Sequence, residues 1–203
     1  MIRKLLTAAI FTLCGTGAFA QLFSNGSELS SLSDFKDGKF QFHSVKSIYW
    51  SQIVNEGRNY VDRSEKVWVP ARLYLPKTTS TKVPAMVIMH GIGGLYMRNG
   101  QKRAYWEYAE MLVENGIASV VVDTQGARGV GVTNQLGSTE VSVYTFAADA
   151  FAAADMLRTH PAIDPDRIGI MGFSKGGMTT LLATDRRFVS SLSRSASMFK
   201  LHV

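Results

Sequence analysis

The chain has 203 residues, 46% of them hydrophobic, with 22 basic against 16 acidic side chains and a net charge of +6. No run of Lys or Arg exceeds two and no basic stripe recurs at helical spacing, which argues against a nucleic-acid-binding surface. The single cysteine, Cys14, rules out an internal disulfide. An apolar core therefore has to hold the fold.

Residues 1–20 read as a secretion signal. Arg3 and Lys4 are followed by an apolar stretch from Leu5 to Leu13 and an Ala18-Phe19-Ala20 cleavage pattern. Export to the periplasm or beyond is expected, with no membrane anchor left after cleavage. Residues 21–40, rich in Ser, Gly, Asp and Lys, read as a flexible lead-in. Val45–Trp50 and Val67–Leu75 are strand-like, with a turn at Asn55–Asn59 between them, and so predict an antiparallel pair. Pro70 places the second strand near a sheet edge, because proline has no ladder donor.

From Pro84 the pattern changes. Continuous apolar runs at Pro84–Met89 and Ala118–Val122 flank a helical pattern over Tyr105–Asn115, which Gly116 stops. Strands apolar on both faces, alternating with helices, predict a mostly parallel sheet covered on both sides. A glycine-rich loop (Thr124–Ser138) precedes a long Ala-rich helix over about Val141–Thr159, ended by His160-Pro161. Asp164–Arg167 then turns the chain into the apolar run Ile168–Met171. Lys175–Ala183 reads as a helix, Thr184–Ser197 as a polar stretch, and Met198–Val203 as the start of another strand.

Gly172-Phe173-Ser174-Lys175-Gly176 lies between that apolar run and the following helix. This is the layout of a nucleophile elbow, in which a sharp strand-to-helix turn presents a serine hydroxyl. The flanking glycines give the neighbouring chain room. Ser174 is the candidate nucleophile. His90-Gly91-Ile92-Gly93-Gly94 follows an apolar strand, where such an enzyme needs a loop that offers N–H groups to an oxyanion. The N–H groups of Ile92 and Lys175 are the candidate oxyanion donors, and His90 is expected to brace the loop. Tyr96 excludes a dinucleotide fingerprint, and neither H-E-x-x-H nor a close His/Cys pair occurs, so no cofactor and no metal are expected.

These two motifs, with Val121-Val122-Asp123, Arg128-Gly129 and His160–Ile168, resemble the dienelactone hydrolase family of α/β-hydrolases, in its serine-nucleophile branch. The likeness runs from about Val67 to Val203. It implies an α/β-hydrolase-type, mostly parallel sheet with helices on both faces, and hydrolysis of small carboxylic esters or lactones through an acyl-enzyme. It also suggests a substrate-binding role for Arg128. Asp123 is read as a loop-fixing residue rather than a triad acid.

A serine needs a base and an orienting acid, which follow it in this fold in the order acid, then histidine. Beyond Ser174 the chain offers only Asp185 and His202, and neither fits. Residues 41–203 are therefore read as the N-terminal portion of one hydrolase domain. Its C-terminal strands, two or three units of about 30 residues each, and the acid and histidine they carry lie outside this chain. Two other readings stand beside this one: a catalytically inactive remnant or binding module, and a peptidase like the prolyl oligopeptidases. Substrate identity and oligomeric state stay open.

Overall fold

Strand and helix periods decide what this chain buries. The computed structural model describes residues 38–77, 81–97, 99–100, 102–130 and 141–203. The expected signal segment, most of the lead-in, and loop residues 131–140 lie outside the described residues. Five strands, β1 (Gly38–Val45), β2 (Lys66–Tyr74), β3 (Val83–Met89), β4 (Ala118–Val122) and β5 (Ile163–Gly172), form one sheet in the order β1-β2-β4-β3-β5. β1 and β2 pair antiparallel, β2 runs antiparallel to β4, and β3 lies parallel between β4 and β5. Past β5 the chain returns beside it. Lys200 donates to Ile168, Ile170 to Leu201 and Val203 to Ile170, so residues 200–203 run as a further parallel strand.

Alternate residues of each strand feed two cores. Val87, Val120 and Ile170 point into a large cluster under the long helix α4 (Val143–Leu157), whose alanines 147, 150, 153 and 154 are fully buried. Ile88, Met86 and Val121 point the other way, onto α3 (Tyr105–Glu114) through Trp106, Ala109 and Leu112. The sheet is thus covered on both faces, as its apolar runs predict. Gly116 takes φ +79 after α3, the left-handed stop. Ser142 caps α4 by accepting from the Thr145 N–H.

Four expectations need correction or refinement. The first strand is Gly38–Val45, so the lead-in ends before residue 38, and Val45–Trp50 does not continue the strand. The backbone of Ile48 is held instead by side chains at the start of α4: its N–H donates to Thr145 Oγ1 at 3.1 Å, and its carbonyl accepts from Ser142 Oγ. With no ladder to join, the chain folds into two short helices, α1 (Trp50–Asn55) and α2 (Arg58–Arg63), before β2.

Second, β2 lies near the sheet edge as expected, one strand in from β1, but it is paired on both sides, and Pro70 is tolerated there. The β2/β4 ladder stops at Ala71↔Val122, and Pro70 then accepts from the Asp123 N–H. The Asp123 carbonyl, which would have met a donor at Pro70, takes the Ala127 N–H instead. Third, the polar stretch after residue 184 holds a helix, α6 (Arg186–Leu192), capped by Asp185 and anchored by Phe188, Val189 and Leu192. The expected turn at Asp164–Arg167 is a bulge inside β5, between the pairs Val83↔Ile163 and Ala85↔Ile168.

Candidate active site

Ser174 sits between β5 and the helix α5 (Lys175–Leu182), with φ +53 and ψ −113. Only such a turn brings the helix back against its own strand, and two glycines make it feasible. A β-carbon on Gly172 would lie 2.0 Å from the Gly176 carbonyl oxygen, and one on Gly176 would lie 2.2 Å from that of Met89. Bare Cα atoms therefore let the start of α5 rest on the end of β3. Ser174 is exposed at this junction, and the Lys175 N–H opens the helix beside it, where the helix dipole favours negative charge. The Lys175 ammonium turns aside to the Val141 carbonyl and lies 5.3 Å over the Phe146 ring.

The loop after β3 is pinned against the serine. A β-carbon on Gly91 would stand 3.1 Å from Ser174 Cβ, which measures how closely the two segments approach. The Gly91 N–H donates to Tyr105 Oη (3.1 Å), while its carbonyl accepts from His90 Nδ1 (2.7 Å) and from the Gly94 N–H (3.1 Å). The Ile92 carbonyl accepts from Gln125 Nε2 at 2.8 Å. Ile92 thus sits inside a closed turn held from three sides, and Gly91 brings that turn to Ser174. Tyr105 and Gln125 carried no sequence signal. One opens a helix and the other lies in a loop, and only the tertiary fold brings them to residues 91 and 92.

Behind the loop lies a buried polar pair. His90 is fully enclosed and burial, reinforced by the charges of Lys175 and Arg103, pushes its pKa down to about 4. Asp123 is buried, and desolvation raises its carboxyl to about 6 despite the Gly126 N–H that it accepts at 2.9 Å. The two approach to 4.0 Å, too far for a direct hydrogen bond. Both residues hold loops, and neither faces Ser174 with a hydrogen bond.

Their titrations oppose each other. The native state keeps His90 neutral where the unfolded chain would charge it, so its contribution falls as pH drops from about 6.5 to 4. Asp123 does the reverse, holding its proton up to about 6 where the unfolded carboxyl loses it near 3.8. The wild-type protein is therefore expected to show little net slope from this pair between pH 4 and 6. Asp123→Asn should uncover the histidine, with stability rising on the order of 3 kcal/mol from pH 4 to 6.5. Urea denaturation at several pH values checks this, and an unchanged profile would sink it.

The other candidate partners lie elsewhere. His202 bridges Ile170 in the strand beside β5, with its ring edge-on to Phe199. His43 stacks on Trp68, and His160 accepts the Ala162 N–H through Nδ1. Asp185 caps α6 and pairs with Arg187. None of the four histidines is hydrogen-bonded to Ser174 among the described residues.

Arg128 departs from the expected substrate-binding role. Its NH1 and NH2 groups grip both oxygens of Asp149 at 2.9 Å, and the remaining donors go to the carbonyls of Thr124, Val45 and Lys46. All five N–H groups of the guanidinium are then used inside the protein. Its side chain is 7% exposed and that of Asp149 is 0%. Arg128 is a pin between β1, the loop after β4, and α4.

Residues 104–193 match the prolyl oligopeptidase family. Among curated proteins, the chain is 32% identical over 111 residues to the thiohydrolase aneE of Aspergillus aculeatus, covering 54% of this chain and 31% of that protein. The solved α/β hydrolase GrgF from a Penicillium species superposes with a TM-score of 0.50 at 17% identity, over 75% of this chain and 43% of that one. A weaker likeness is to Est1E from Butyrivibrio proteoclasticus, with TM-score 0.44 and 22% identity over 60% of this chain and 43% of that one. The chain spans about a third of the length of the curated relative that it matches.

Proposed function

The chain has the α/β-hydrolase fold, and from it we propose a serine hydrolase of the dienelactone hydrolase type, exported by residues 1–20, that cleaves small carboxylic esters or lactones. The observation that carries this reading is the strained Ser174 turn, set by Gly172 and Gly176 against a closed Gly91–Gly94 loop. Ser174 Oγ attacks the acyl carbon as its proton passes to a base histidine, and the N–H groups of Ile92 and Lys175 hold the oxyanion. The ester C–O bond then breaks, the alcohol leaving with that proton and the acyl group staying on the serine. This reading requires a base histidine and an acid that the described residues do not bring to Ser174. Water then releases the acid. The curated relative bears the name of a thiohydrolase. Thioesters undergo the same acyl transfer with a sulfur leaving group, so they belong among the test substrates.

A fluorophosphonate probe tests the reading on the full-length protein. A single adduct on the peptide that holds Ser174 is expected, with turnover of short-chain esters. No adduct, with no turnover, would leave the fold as a non-catalytic remnant. The match over residues 104–193 to prolyl oligopeptidases favours a second reading, a peptidase of that kind. Cleavage of proline-containing peptides in preference to esters would select it.

A further inference from the structure

A cavity of about 320 Å³ lies between β1 and α4, bordered by α2 and α6. Its volume is at the lower end for small-molecule sites. Phe42, Val61, Ala148, Ala152, Met156 and Leu192 give it apolar walls. It is separate from the serine. β1 and β5 are the first and last strands of the five in the sheet order, four strand spacings or about 19 Å apart.

Three polar side chains in this largely apolar cavity stand out: one hydroxyl without a hydrogen-bond partner and two cations without an ion-paired carboxylate. Ser44 lies on the same face of β1 as Phe40 and Phe42, because side chains alternate along a strand. Its hydroxyl is buried (the residue is 5% exposed) and has no hydrogen-bond partner. A hydroxyl in that state costs free energy unless something fills its valence.

Lys66 and Arg194 line the same cavity, and no carboxylate stands within ion-pair distance of either among the described residues. The Lys66 ammonium rests on the Val61 carbonyl, and burial and the neighbouring Arg194 charge lower its pKa. The nearby acids are already engaged. Asp155 accepts from the Arg158 guanidinium, Ser195 Oγ and the Arg194 N–H, while Asp62 pairs with Arg58. Lys66 and Arg194 thus bring two cations without ion-paired carboxylates to the cavity, beside a lining acid, Asp155, whose oxygens are already taken, and one free buried hydroxyl.

We propose that this cavity binds a small amphipathic carboxylate, with its apolar body against α4 and its carboxylate between Lys66, Arg194 and the Ser44 hydroxyl. A neutral chain would leave two cations uncompensated. A cationic one would be repelled.

Octanoate is the probe. Isothermal titration calorimetry on the full chain is expected to give a Kd of about 1 mM or tighter, in keeping with a ligand of this size. Octanol should bind at least about tenfold more weakly, because it lacks the charge. Arg194→Glu should raise the Kd by about tenfold or more, and Ala152→Phe should abolish binding by filling the box. The Arg194→Glu change keeps the test valid even if Ala152→Phe unfolds the protein, since a melting curve shows which variants are intact. Binding to fluorophosphonate-treated protein should be unchanged. No heat at about 10 mM octanoate would overturn the assignment, as would binding that both substitutions leave untouched.

Discussion

Ser174→Gly is expected to make the protein more stable by about 1 kcal/mol while abolishing its reaction with a fluorophosphonate. The backbone of Ser174 lies at φ +53, ψ −113, a region open to glycine and costly for any residue with a β-carbon. Such a position costs about 1–3 kcal/mol. Glycine removes that cost but adds about 0.5–1 kcal/mol of unfolded-state entropy, so the net gain is near 1 kcal/mol. Ser174→Ala separates the two effects. It keeps the strain and loses the hydroxyl, so its urea midpoint should match the wild type while labelling disappears. A Ser174→Gly protein less stable than wild type would show that the turn is relaxed. Labelling that survives either change would place the nucleophile elsewhere.

The strain persists because neighbouring residues leave the chain no alternative. A β-carbon at Gly172 or Gly176 would meet main-chain oxygen at 2.0–2.2 Å, so α5 can lie against β3 only with glycine at both places. This is why the elbow was legible in the sequence. Gly-x-Ser-x-Gly is a direct record of a local steric requirement. The parallel strands were legible for a similar reason: burial on both faces demands unbroken apolar runs, and β3 and β4 show them. The expectation of the α/β-hydrolase fold rested on the elbow and the His90–Gly94 loop beside these alternating strands and helices, and is met by the sheet and by the GrgF likeness.

What failed in the sequence reading depends on contacts between distant residues. Val45–Trp50 has strand-like composition, yet the backbone of Ile48 is satisfied by Ser142 and Thr145, more than ninety positions away. Pro70 placed β2 near the edge, and β2 lies one strand in from β1; its pairing on both sides is tolerated because the Asp123 carbonyl takes the Ala127 N–H in the turn after β4. Helix α6 is too polar in composition to show a helical stripe, and three buried residues suffice to hold it. Tyr105 and Gln125 act on the loop at residues 91 and 92 only because α3 and the loop after β4 converge there.

Arg128 is the sharpest case, and the one with the greatest consequence for stability. From the sequence it is a loop arginine at the ligand edge of the sheet. In the fold its fork meets Asp149, and three carbonyls take the remaining donors. Removing one partner of a buried, hydrogen-bonded pair strands the other, which costs about 3–5 kcal/mol. Arg128→Ala and Asp149→Ala should each lower stability by that amount in urea denaturation. Arg128→Lys should recover only part, since a single ammonium cannot span both carboxylate oxygens and the carbonyls of Val45, Lys46 and Thr124. Arg128→Met with Asp149→Leu together should be milder than either single alanine change, because no charge is left unpaired. If Arg128→Ala costs under about 1 kcal/mol and instead weakens substrate binding, the guanidinium is available to ligands and the pinning role is wrong. The expected result ties the site to the frame: the arginine holds the loop after β4, and that loop carries Gln125 to the Ile92 carbonyl.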